Sequence, residues 1–231
     1  MIEGLASNKS MIRHQASSAM TLAGAAAILV LTALMTWPVA RDPAHSFAAG
    51  RVDPPHVMWR MAWQAYALET DPTNLFNANI FYPERSTLAY SSLNFAPMLL
   101  SLPLWRATGN PILAYNSAYL FAWFLIGFGI FLLAKFFGMS FGASLLAGVL
   151  GEFSAFSFNQ IGHLDILWIG CFPLLMLSVH RLLQHPSRKY LLLTLILFLT
   201  QALATWYFAI YVALIFVALI FCSARRLGAH A

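Results

Sequence analysis

The stretch MTLAGAAAILVLTALMTWPV, residues 20–39, carries no charge over 20 positions. Wound as a helix it is about 30 Å long, which matches the hydrocarbon core of a bilayer. Lys9, Arg13 and His14 precede it. Basic residues beside a span stay in the cytoplasm, so the N-terminus is expected there. A cleaved signal peptide would have a shorter apolar region, about 7–15 residues, so an uncleaved anchor is expected. This one span sets the frame for the rest of the chain.

The composition agrees with a membrane frame. Of the 231 residues 60% are hydrophobic and 9% are charged, with a mean hydropathy of +0.71. A soluble domain carries roughly 25% charge. The pI of 9.5 does not point to nucleic acid, because the basic residues sit at the ends of apolar runs and form no single patch. Phosphate-loop, His-Glu-x-x-His and Cys-x-x-Cys patterns are absent, which removes the usual markers of nucleotide-driven transport and zinc hydrolysis. Cys171 and Cys222 both fall inside apolar runs and are expected to be buried free thiols.

Further apolar runs cover residues 112–134, 140–158, 164–182, 190–204 and 206–222. Residues 190–222 contain no charge, and as one helix they would be about 50 Å long. Two short spans with a turn near Thr205-Trp206-Tyr207 are therefore expected. Arg181, Arg188 and Lys189 mark a cytoplasmic loop, as do Arg225 and Arg226 at the C-terminal end. Counting back places Gly162-His163-Leu164-Asp165 outside and Lys135 inside. On this map eight basic residues and one acid, Glu3, lie inside, while five basic residues and seven acids lie outside or at outer membrane ends.

The fold expected is thus an all-α integral membrane protein. Its 231 residues form a single polytopic domain, with a first span at 20–39, an extracytoplasmic loop at 40–111 and five further spans in 112–223. Residues 93–105 are apolar but only about 13 long, and contain Pro97 and Pro103. They are expected to form a re-entrant or interfacial helix. Residues 56–68 are expected to form another, with Trp59, Trp63 and Tyr66 at helical spacing and Arg60 and Gln64 on a different face.

Five of the eight acids, Asp42, Asp53, Glu69, Asp71 and Glu84, fall in the outward loop. Asp53, in Arg51-Val52-Asp53-Pro54-Pro55-His56, can take a proton from an acceptor hydroxyl or share a divalent ion with other oxygen ligands. It can equally initiate a turn before Pro54. Asp165 opens a span, as a second site acid or as a helix-end charge. His163 is placed to hydrogen-bond a phosphate or sugar. Glu152, toward the outer end of its span, is expected to face protein or a wet cavity. Arg85, beside Glu84, can bind a phosphate through its fork of donors or pair with Glu84 or Asp71. Trp59 serves as membrane anchor, core packing or sugar platform.

In order and spacing, these segments resemble the N-terminal half of the GT-C superfamily of membrane glycosyltransferases, in particular its large bacterial members. The resemblance rests on Asp53 ahead of Trp59 and Trp63, Phe81-Tyr82-Pro83-Glu84, Asn110-Pro111 with Ala114-Tyr115-Asn116, Gly162-His163-Leu164-Asp165, and Gln201-Ala202-Leu203 with Trp206-Tyr207. It covers residues 20–223. It implies transfer of a sugar from a polyprenyl-phosphate donor on the outer face of the bacterial cytoplasmic membrane, without a nucleotide. Asp53 would then be the base or acceptor-orienting carboxylate and Asp165 a second acid, with Arg85 touching the donor phosphate. A divalent ion, if used, would fall to Asp53 and Asp165. Members of this superfamily usually continue for several more spans. The alternative expectation is therefore a non-catalytic or lipid-carrier-binding module, or one half of an enzyme completed by a second membrane polypeptide.

Overall fold

The computed structural model describes residues 2–47, 53–215 and 217, with 2–17 described as helical backbone only. Every regular element among them is helical. Helix α1 runs from Ile2 to Met35, and α2, Trp37–Arg41, follows a break at Thr36. The break comes just before Pro38, whose ring removes a backbone donor. Helix α3, Asp53–Thr70, begins on Asp53 itself, with Pro54 and Pro55 in its first turn. Proline is tolerated there because first-turn N–H groups have no helical partner. The helix expected over 56–68 is therefore longer at both ends.

A loop with two 3-10 turns, Pro72–Asn74 and Thr87–Tyr90, leads to α4, Phe95–Thr108. Its 14 residues measure about 21 Å, well short of a bilayer core. Gly109, at φ +66, closes α4 in the left-handed conformation that lacks a Cβ penalty only for glycine. Helix α5, Pro111–Phe136, is the hub. It packs against α1, α4 and the later helices Phe141–Glu152 and Cys171–Gln184, and carries the buried stripe Tyr115, Tyr119, Trp123 and Ile126.

Beyond it come α6, Phe141–Glu152, and α7, Ala155–Asn159, then α8, Leu164–Leu167, and α9, Cys171–Gln184. Helix α10, Arg188–Ala204, is capped by the Ser187 hydroxyl accepting from the Tyr190 N–H at 3.3 Å. An apolar helix α11, Trp206–Ile215, follows.

Among the described residues four stretches are long and apolar enough to cross a membrane: Ser18–Met35, Pro111–Phe136, Phe141–Asn159 and Leu164–Gln184. They coincide with the first four spans expected. The chain breaks at Thr205, whose extended backbone (φ −154, ψ 133) separates α10 from α11 at the expected turn. Helix α10 has 17 residues, about 25 Å. The end of the expected 206–222 span, with Cys222, lies outside the described residues. Cys171 is a buried free thiol.

Two loop tethers orient the N-terminal end of α5. The Asn110 carbonyl accepts from the Ile112 and Leu113 N–H groups at 2.9 and 3.0 Å, capping the helix, while its amide donates to the Ala44 carbonyl at 3.1 Å. Six residues on, the buried Asn116 amide donates to the carbonyls of Pro43 and Ser46 at 2.7 and 2.6 Å. Both asparagines therefore hold the chain leaving α2 against α5.

Candidate functional site

Helix α3 buries a stripe that includes Val57, Arg60, Met61 and Gln64. The two polar residues face inward, and the backbone explains why. Between the second 3-10 turn and α4 the chain is irregular and its carbonyls need donors. Arg60 Nη1 donates to the Ser92 carbonyl at 2.8 Å and to the Ser91 hydroxyl at 3.0 Å. The Gln64 amide donates to the Leu93 carbonyl. The expected polar face of α3 is thus the face that receives the entry to α4.

Above this contact opens a cavity of about 570 Å³, lined among others by His56, Trp59, Arg60, His163, Asp165 and Tyr207. That size falls in the range of small-molecule sites. Asp165, in the first turn of α8, is buried at 6% exposure, as is Arg60. Burial pulls the Arg60 guanidinium below the ordinary arginine value, and the carboxylates of Asp165 and Asp53 oppose that pull. His56 is likewise lowered, first by burial and then by the Arg60 charge, with Asp53 acting the other way.

Asp53 stands at the edge of the same cluster. Its Oδ2 lies 3.8 Å from His163 Nε2, and both side chains are about half exposed. Gly162 passes directly beneath, where an added Cβ would touch Asp53 at 3.6 Å. Residues 110 positions apart, at the start of α3 and just before α8, thus approach each other, His163 lining the cavity and Asp53 standing just outside its lining.

Of the other residues singled out from sequence, Trp59 lines the cavity and the rest lie elsewhere. Glu84 and Arg85 are exposed on the loop and do not line the cavity, and among the described residues no ion pair joins Arg85 to Glu84 or Asp71. Asp71 caps a turn, held below the ordinary carboxylate range by hydrogen bonds from Asn74 and Thr73. Glu152 is fully buried where α6 meets α1 and α5. It accepts from the Thr32 hydroxyl at 2.5 Å, and its other oxygen has no hydrogen-bond partner among the described residues. Trp59 lines the cavity, stacked on His56 at 5.7 Å, its indole N–H donating to the Asn79 carbonyl at 3.2 Å.

Sequence reasoning missed Arg60, His56 and Tyr207. The signal for Arg60 was its i, i+4 pairing with Gln64 alongside Val57 and Met61, which places a cation on an apolar stripe. For a divalent ion, no group of three His, Cys, Asp or Glu side chains converges among the described residues. Asp53 and Asp165 alone do not make a fitting ligand set for such an ion. Comparison of the chain with protein-family models, with curated proteins and with solved structures found no match.

Proposed function

We propose that this chain is a membrane glycosyltransferase of the GT-C kind, or the N-terminal module of one, working on the outer face of a bacterial cytoplasmic membrane. The donor is a polyprenyl-phosphate-linked sugar. Six spans with both ends cytoplasmic give the topology, α10 and α11 making the last two. The charge asymmetry of the loops and the break at Thr205 support that count.

The observation that carries the reading is the approach of Asp53 to His163 at 3.8 Å, beside a cavity lined by Arg60 and Asp165. In the reaction the acceptor hydroxyl gives its proton to the Asp53 carboxylate as its oxygen bonds to the anomeric carbon. The bond from that carbon to the phosphate oxygen breaks, and polyprenyl phosphate leaves with the electron pair. Arg60 meets the negative charge on the phosphate, the role expected of Arg85, because Arg60 lines the cavity and Arg85 does not. His163 orients Asp53, and Asp165 balances Arg60. Asp53 and His163 are both about half exposed, so an acceptor can reach the pair from solvent.

General acid–base assistance contributes about 10²–10⁴ in rate. Asp53→Asn is expected to lower transfer by that factor. The assay uses reconstituted full chain and polyprenyl-phosphate-linked glucose, mannose or N-acetylglucosamine. Full-rate transfer by Asp53→Asn would remove the assigned role.

A further inference from the structure

The cavity has a second component that the transfer chemistry does not use. Three aromatic rings at its rim stand open: Phe81 at 65% exposure, Tyr90 at 68% and Tyr207 at 45%. Trp59 adds a fourth, half-buried ring held by Asn79. They come from four separate places: α3, the loop before the second 3-10 turn, that turn itself, and α11. Exposed rings scattered singly need no explanation, but rings gathered from four segments around one cavity do.

Phe81 is held there at a cost. Its φ of +59 is a left-handed conformation that bulky residues rarely adopt. Such strain persists where the surroundings enforce it, and it collects at ligand sites. Beneath the rings lie hydrogen-bonding and charged groups, including Arg60, Ser91 and Asp165. The cavity therefore has apolar flat walls and a polar floor.

We propose that this aromatic rim is a stacking subsite for a pyranose ring, so that the acceptor of the reaction is itself a carbohydrate. A pyranose presents C–H faces to ring planes and hydroxyls at its edges, which matches both parts of the cavity. An acyl chain would leave the polar floor unmet, and an inorganic anion would leave the rings unused. The word acceptor rests on the transferase reading above, whereas the binding of a sugar ring does not.

The test uses the full chain in detergent, titrated with soluble glycans of hexose and N-acetylhexosamine units. Binding is read by tryptophan fluorescence, and Trp59→Phe identifies the share due to Trp59. Saturable binding by at least one glycan is expected. Phe81→Leu and Tyr207→Leu are expected to weaken it about two- to tenfold, the range for loss of a ring contact. Phe81→Tyr and Tyr207→Phe should bind more tightly than the leucine variants, which separates stacking from simple apolar contact.

The proposal is overturned if no glycan of the series binds or if the leucine variants bind as tightly as the native chain. Strong quenching of Trp59 by lipids brominated on their acyl chains would also overturn it, because the rim would then lie in the bilayer. Glycan binding without sugar transfer leaves the rim standing and removes the transferase. Transfer to a non-carbohydrate acceptor without glycan binding does the reverse.

Discussion

A guanidinium taken out of water costs several kcal/mol unless its donors are engaged and its charge is balanced. Arg60 meets both conditions only in part: Nη1 is bonded to Ser91 and Ser92, while Nε has no hydrogen-bond partner among the described residues. The charge is shared with Asp165 and Asp53. One consequence is readable at His56, which lies one helical turn before Arg60. Its lowered pKa means the folded chain resists a proton that the unfolded chain accepts near 6.5. Above that pH His56 is neutral in both states and contributes nothing to the pH dependence. As the pH falls below 6.5 the unfolded state binds more protons, so stability drops. His56→Gln is expected to flatten this acid limb, seen as a smaller fall in unfolding temperature between pH 7 and lower pH in detergent.

At the scale of elements, α5 can be the hub because small residues let its neighbours come close. A Cβ on Gly148 of α6 would stand 2.6 Å from the Gly127 carbonyl oxygen of α5. Backbone cannot yield the way a flexible side chain can. Gly148→Ala is therefore expected to destabilise the chain by about 1–3 kcal/mol, the usual range for overpacking. Thermal unfolding in detergent checks this, and an unchanged midpoint would mean that α6 can move away from α5 freely. Helix α4 shows the opposite arrangement. It is too short to cross, and it is tied to α3 by the Glu69–Arg106 ion pair near both C-terminal ends. That pair is half exposed, so packing on α5 holds α4 more than the charges do.

For the whole molecule, the polar cavity and the tethers from Asn110 and Asn116 lie at one end of α5. Lys135, hydrogen-bonded to Thr21 at 2.7 Å, lies at the other end, about 39 Å along a 26-residue helix. Single cysteines at 53, 84 and 135, in a Cys171→Ser, Cys222→Ser background, are expected to divide accordingly. An impermeant thiol reagent on intact cells should label Asp53→Cys and Glu84→Cys and spare Lys135→Cys. Labelling at 135 alone would invert the topology and move the cavity to the cytoplasmic side.

Much of the architecture was legible in the sequence because a bilayer permits few solutions. Apolar runs of about 20 residues with at most two charges must be helices that satisfy their own backbone, and 20–39, 112–134, 140–158 and 164–182 announced themselves that way. The turn at Thr205 followed from length alone. The cavity was legible only in part. Asp53 and Asp165 stood out as charges in an apolar chain, but spacing along a sequence carries no information on what meets across 110 residues. The approach of Asp53 to His163, the inward turn of Arg60 to unpaired loop carbonyls, and the remoteness of Arg85 and Glu152 were decided by tertiary packing. Helical period places a residue on a face, whereas the neighbour that face meets depends on how α3, α4 and α8 pack around the N-terminal end of α5.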